Sequence, residues 1–260
     1  MRIIFLVALL ILLQGTLKSQ DFNLYAKEVY TSSSGDQLPY RILFPKDYDR
    51  SKKYPLVLLL HGGGERGNDN EKQLTHGAKL FLTEESRNNF PAIVVVPQCP
   101  TDSYWGNANL DRSTSPITLT FDYAKPETSA LKKAIALVKK IQQEEGVDSK
   151  RTYITGLSMG GMGTFEAVYR YPKLFAAAVP ICGGGDLIHY DNRVKKIPIR
   201  VFHGDADAVV SVNESRRMVK KLESLKVNVL YKEYPGVNHN SWDNAFAEPD
   251  FLRWMFSYKK

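Results

Sequence analysis

The sequence predicts an α/β domain: a mostly parallel sheet with helices on both faces. Three observations predict it. Continuous apolar runs of strand length recur along the chain, as at Pro55 to Leu60 and Ala92 to Val96, which is the composition of strands covered on both sides. Segments with apolar residues at helical spacing lie between them. The two kinds of segment alternate after an initial hairpin, as crossover helices between parallel strands require.

Taken in chain order, Tyr25 to Thr31 and Leu38 to Phe44 flank the turn-forming Ser32-Ser-Ser-Gly-Asp36 and read as the hairpin. Pro55 to Leu60 is a buried strand that ends in His61-Gly62-Gly63-Gly64, and Ala92 to Val96 is the next. Thr101 to Ser129 shows no period and carries Tyr104, Trp105, Asn107, Asn109, Phe121 and Tyr123. A loop of this length is usually functional, and it leaves the C-terminal end of a strand, where open α/β sheets bind ligands. It is therefore expected to wall a cleft, with Tyr104 and Trp105 as substrate-binding candidates; the competing reading makes its aromatics a local core. Residues 127–145 place Leu131, Ala134, Ile135, Val138 and Ile141 on one helix face, with Gly146 past the end. Arg151 to Thr155 is β-branched and aromatic, and Gly163 to Tyr171 is a helix stopped by Pro172. Strands follow at Ala176 to Ile181, Ile197 to Phe202 and Val227 to Tyr234. A helix over 214–225 lies between the last two, with Asn213 as the expected N-cap. No repeat or linker marks a second domain, so residues 21–260 read as one.

Residues 1–20 differ in kind. Met1-Arg2 is a short basic start, Ile3 to Leu13 are eleven consecutive apolar residues, and Gln14 to Gln20 are polar or small. Eleven residues are too few to span a bilayer as a helix, so the segment reads as a signal peptide cut after Ser19 or Gln20. A retained anchor is the competing reading, and no cysteine follows the run to mark a lipoprotein. The expected residence is secreted or periplasmic, with no membrane contact after cleavage. Removing Arg2 and Lys18 leaves 33 basic against 28 acidic residues, a balance of +5 spread along the chain. Without a nucleic-acid motif this is a solvated surface, and no nucleic-acid partner is expected.

Chemistry concentrates at Gly156-Leu157-Ser158-Met159-Gly160, set between a strand and a helix. That setting lifts a serine hydroxyl above a sheet on a strained turn whose flanking positions leave no room for Cβ atoms. A base for Ser158 must accept a proton near neutral pH, which points to histidine. Of the five, His61 and His203 precede glycine at strand ends and read as structural, while His76 and His189 lie in polar segments without a motif and read as surface residues. His239, in the loop after the last strand, is the best placed. The base needs a carboxylate, and Phe202-His-Gly-Asp-Ala-Asp207 offers two. Asp207, mid-loop, can reach across to His239, whereas Asp205 is placed to bond the loop's own amides. Oxyanion donors are expected from the Met159 N–H and from the glycine loop, Gly63 first and Gly64 second.

The combination "HGGGERG", "GLSMGGMGT", "HGDADAVV" and "VNHNSW" resembles secreted single-domain α/β-hydrolase esterases, labelled phospholipase/carboxylesterase-like or predicted-peptidase. It is also similar to feruloyl and acetylxylan esterases of carbohydrate esterase family 1. The resemblance runs from about Arg41 onward and implies an eight-stranded sheet in order 1-2-4-3-5-6-7-8, no cofactor, no metal, and Ser158, Asp207 and His239 as the triad in this fold's chain order. Relatives often carry alanine where Gly63 stands here. Trp242, where the family often has tryptophan after the histidine, is expected to pack the base loop. In the implied order, the strands before Cys99 and Cys182 lie three steps apart, about 14 Å. A disulfide needs Cα atoms within about 7 Å, so both thiols should be free and buried.

These features point to a secreted serine carboxylesterase acting on small-molecule or polysaccharide-linked esters. Export and the aromatic loop tilt the expectation to feruloyl or acetyl esters of plant cell wall. The rivals are a serine peptidase of prolyl-oligopeptidase type and a non-catalytic binding protein on a hydrolase scaffold. No propeller-sized region argues for the first, and an intact triad argues against the second. Oligomeric state has no signature in the sequence.

Overall fold

A computed structural model describes residues 21–260; the expected signal segment, residues 1–20, lies outside them. The main sheet takes in β1 (Ala26–Thr31), β2 (Gln37–Leu43), β3 (Tyr54–Leu60) and β4 (Ile93–Pro97). A separate pair, β5 (Ala108–Asp111) and β6 (Thr118–Phe121), follows, and the main sheet resumes with β7 (Val147–Leu157), β8 (Ala177–Ile181), β9 (Ile199–Gly204) and β10 (Val229–Tyr234). Its order is β1-β2-β4-β3-β7-β8-β9-β10, the order the resemblance implies. The strands β1, β2 and β4 pair antiparallel, and every pair from β4 onward across the sheet is parallel.

Strand β3 shows how sequence becomes layers. Successive side chains point to opposite faces. Leu56, Leu58 and Leu60 join one core with Leu131 and Ile135 of α2 (Ser129–Glu144), Phe165 and Val168 of α3 (Met159–Arg170) and Met218 and Leu222 of α4 (Val212–Ser224). Val57 and Leu59 join the other, with Phe81, Ala245 of α5 (Ser241–Phe246) and Leu252 and Met255 of α6 (Phe251–Phe256). A run without polar interruptions is therefore required by burial on both sides. Cys99 and Cys182 are free and buried, as expected from strands three places apart.

Three local expectations are corrected. Residues 101–129 are not without regular structure: β5 and β6 pair antiparallel in a two-stranded sheet of their own. Four-residue strands with alternate positions open to solvent leave little periodic signal. Helix α3 starts at Met159, four residues before the apolar pattern, because glycines fill its first turn. Helix α4 is capped by Ser211, whose side chain accepts from the Asn213 N–H, so Asn213 is not the cap but the residue it serves. No helix among the described residues is long and apolar enough to cross a membrane.

Candidate active site

Strand β7 ends at Leu157 and α3 begins at Met159, leaving Ser158 alone between them with φ 53° and ψ −115°. A positive φ at a non-glycine residue is strained, and the surroundings over-determine it. The Ser158 N–H is tied to Ile181 O of β8 at 2.9 Å. A Cβ at Gly156 would meet Gly160 O at 2.4 Å, and one at Gly160 would meet Leu60 O at 2.1 Å, so the turn closes only with glycine at both places.

The loops after β9 and β10 bring in the other two groups. His239 Nε2 lies 3.0 Å from Ser158 Oγ, and His239 Nδ1 lies 2.7 Å from Asp207 Oδ2. With Nδ1 donating to the carboxylate, Nε2 is the acceptor for the hydroxyl proton. The other carboxylate oxygen of Asp207 accepts from the N–H groups of Val209 (2.8 Å) and Val210 (2.9 Å). Burial pushes the Asp207 carboxyl up, but hydrogen bonds from His203 and His239 and the Val209 amide together hold it well below the usual carboxylate range. Asp205 is committed to backbone, but not to its own loop as expected: it accepts the Gly236 N–H of the neighbouring loop after β10 at 2.7 Å.

Ser158 and His239 open into a cavity of about 330 Å³ that Gly63, Gly64, Tyr104, Arg112, Ile117 and Trp242 also line. Gly63 opens a 3-10 turn, Gly63–Glu65, and Met159 opens α3; the N–H of a first helical residue has no intrahelical acceptor. Of the two expected oxyanion donors, Gly63 lines the cavity, and Met159 follows the serine directly in the chain. Cys182 Sγ comes within 4.8 Å of the donor atoms of Asp207 and His239, whose facing atoms are already committed to each other.

Of the two aromatic candidates, only Tyr104 reaches the cavity. Trp105 is fully buried in the core beneath and donates its indole N–H to His61 O at 3.1 Å, so it braces the glycine loop instead of touching a ligand. Trp242 packs edge-on to His239, ring centroids 5.2 Å apart, and also lines the cavity, which extends its expected role. His61 is structural: Nδ1 donates to Gly62 O at 2.6 Å, and Nε2 accepts the Cys99 N–H at 2.9 Å. His189 lies 2.7 Å from Asp186, outside the cavity lining.

Sequence reasoning missed two features. His76 is not a detached surface residue but lines the cavity with Glu65, Nε2 3.9 Å from Oε1. His203 bonds the Asp207 carboxylate as well as loop backbone. Neither was signalled by its own stretch of sequence.

The sequence profile described as phospholipase/carboxylesterase matches residues 48–252. The chain belongs to that family. A probable carboxylesterase SOBER1-like of Arabidopsis thaliana is 30% identical over 193 residues, 71% of this chain and 72% of that one. A thermostable esterase of known structure is 37% identical with a TM-score of 0.81, over 92% of this chain. The match spans 64% of that esterase's length. A ferulic acid esterase from Anaeromyces mucronatus, 17% identical with a TM-score of 0.66 over 89% of this chain and 90% of its own, shares the fold. These findings place the chain among α/β-hydrolase-fold serine hydrolases that act on ester bonds.

Proposed function

We propose that the protein is a secreted serine carboxylesterase working through an acyl-enzyme on Ser158. The observation that carries this is the unbroken line from Ser158 Oγ through His239 to Asp207, 3.0 and 2.7 Å, opening on a glycine-lined cavity. Ser158 Oγ attacks the ester carbonyl while His239 Nε2 takes its proton, and the same nitrogen returns that proton to the departing alcohol. Asp207 holds the imidazole and stabilises its charged form. The Met159 and Gly63 N–H groups receive the tetrahedral oxyanion. Water then adds to the acyl-enzyme by the same route, releasing the acid and free Ser158.

Feruloyl or acetyl esters of cell-wall polysaccharide are the proposed substrates. Three things support this: the leader-like residues 1–20, Tyr104 at the cavity wall, and the relatives. Among these, a bifunctional acetylxylan esterase/xylanase of Neocallimastix patriciarum is 26% identical over 197 residues, 72% of this chain but 26% of that one. The test is a panel of p-nitrophenyl acetate and butyrate, methyl ferulate, acetylated xylan and a proline-containing peptide amide, each with wild type and Ser158→Ala. Ser158-dependent turnover of ferulate or xylan acetate is expected. Turnover of the peptide amide alone would replace this reading with the peptidase, and silence throughout would replace it with a binding protein.

A further inference from the structure

Two imidazoles meet one carboxylate oxygen. His239 Nδ1 is 2.7 Å from Asp207 Oδ2, and His203 Nε2 is 3.1 Å from the same atom. The His203 ring is fully buried at the end of β9, and its Nε2 also lies 3.0 Å from Val210 O. Both neighbours are acceptors without a hydrogen, so Nε2 carries the proton and donates. On the ring's far side, Nδ1 is 2.8 Å from Ser215 Oγ of α4, which is itself 3.0 Å from Gly183 O. Strand, loop and helix thus fix this ring at both nitrogens.

We propose that His203 is a positioning residue for the acid of the triad, an inference that rests on the triad reading above. The Val209 and Val210 amides hold Oδ1, and among the described residues His203 supplies the only hydrogen bond to Oδ2 besides that of the base itself. It prevents the carboxylate from turning away from His239. The charged and titratable groups facing it are Asp207 in its own loop, Glu214 on α4, Glu233 opposite it on β10, and, beyond Asp207, His239 and Cys182. Glu214 is paired with Arg217 and Glu233 with Arg216, which leaves Asp207 as the one acid hydrogen-bonded to the ring.

The experiment compares His203→Gln, His203→Asn and His203→Ala, with Ser158→Ala and His239→Ala as controls. It measures kcat and KM for p-nitrophenyl acetate across about pH 5 to 9, with thermal melts alongside. Gln can place an N–H where Nε2 stands, whereas Asn reaches only toward Ser215. Asn and Ala are expected to lose about tenfold or more in kcat at unchanged KM, by analogy with other supporting-shell groups. They should also move the acid limb of the pH profile downward, because a carboxylate that turns away no longer supports the protonated imidazole, and Gln should restore both. The Gln and Asn pair keeps the test decisive if Ala does not fold. An acid limb that stays in place in folded Asn, or a Gln no better than Asn, overturns the proposal. Full activity in either control overturns the triad reading and this proposal with it, while dead controls beside an unmoved profile overturn this proposal alone.

Discussion

Acidification should loosen the glycine loop through His61. Its ring is buried, and burial, the largest influence, lowers its pKa from 6.5 to about 4. The geometry agrees, because a proton on Nε2 would face the Cys99 N–H, which now donates to that atom. The unfolded chain therefore binds this proton first as pH falls. The contribution is fully present above about pH 6.5 and is lost progressively down to the folded value near 4. A displacement of about two and a half pH units is worth about 3.5 kcal/mol, at roughly 1.4 kcal/mol per unit, of which about 3 is lost by pH 4.5. Urea unfolding of wild type and His61→Gln at about pH 7.5, 6.5, 5.5 and 4.5 isolates it, since other groups titrate alike in both proteins. Wild type should exceed the variant most at the highest pH, and the gap should shrink by about 3 kcal/mol at the lowest. A gap independent of pH would refute the reasoning.

Three further outcomes follow from the site. Asp207→Asn should lower kcat by about 10⁴, while Asp205→Asn, whose amide oxygen can still accept the Gly236 N–H, should stay within about threefold. Steady-state kinetics on a simple ester decides it, and comparable losses would remove Asp207 from its role. Gly63→Pro deletes an N–H and little else: position 63 begins a 3-10 turn, Gly62 before it is extended at φ −78°, ψ −178°, and a Cβ at 63 meets only Tyr104 OH at 3.7 Å. It should cost about 10² to 10³ in kcat with an unchanged melt, whereas Gly63→Ala should be nearly silent. Trp105→Ala should cost about 3 to 5 kcal/mol of stability, and Tyr104→Ala should fold normally but discriminate against aryl esters by about tenfold relative to acetyl esters. Melting curves and kcat/KM ratios separate the two.

What the sequence disclosed followed from burial and from tight turns. Strand β3 was legible because both faces are covered and no polar residue interrupts it. The tight turn at Ser158 was legible because two glycines are forced by contacts under 3 Å, and the reach of Asp207 to His239 because a mid-loop acid can leave its own backbone. What stayed hidden depends on distances between segments far apart in the chain. Nothing near Trp105 in the sequence says that its indole points at His61 rather than at solvent, so an aromatic pair at 104 and 105 could not be divided between cavity and core. His76 and Glu65 meet His239 and Trp242 only once the sheet is assembled. The donor from His203 was obscured for another reason: a histidine before glycine at a strand end looks the same whether it bonds backbone or a neighbouring carboxylate.

The β5–β6 hairpin behaves as an exchangeable part. It pairs with itself and meets the main body through the small cluster of Leu119, Met162 and Val210, the packing of Phe121, the bridge from Ile117 to Val210 and the bond from Ser115 to Ala208 O, while Asn107 at its foot bonds the buried Glu166 carboxylate of α3. Its stems are anchored by buried Trp105 on one side and buried Tyr123 on the other. Yet it delivers Arg112 and Ile117 to the cavity rim. Selection or an engineer can therefore rewrite residues 108–120 and alter which esters enter, with the strands that hold Ser158, Asp207 and His239 inherited unchanged.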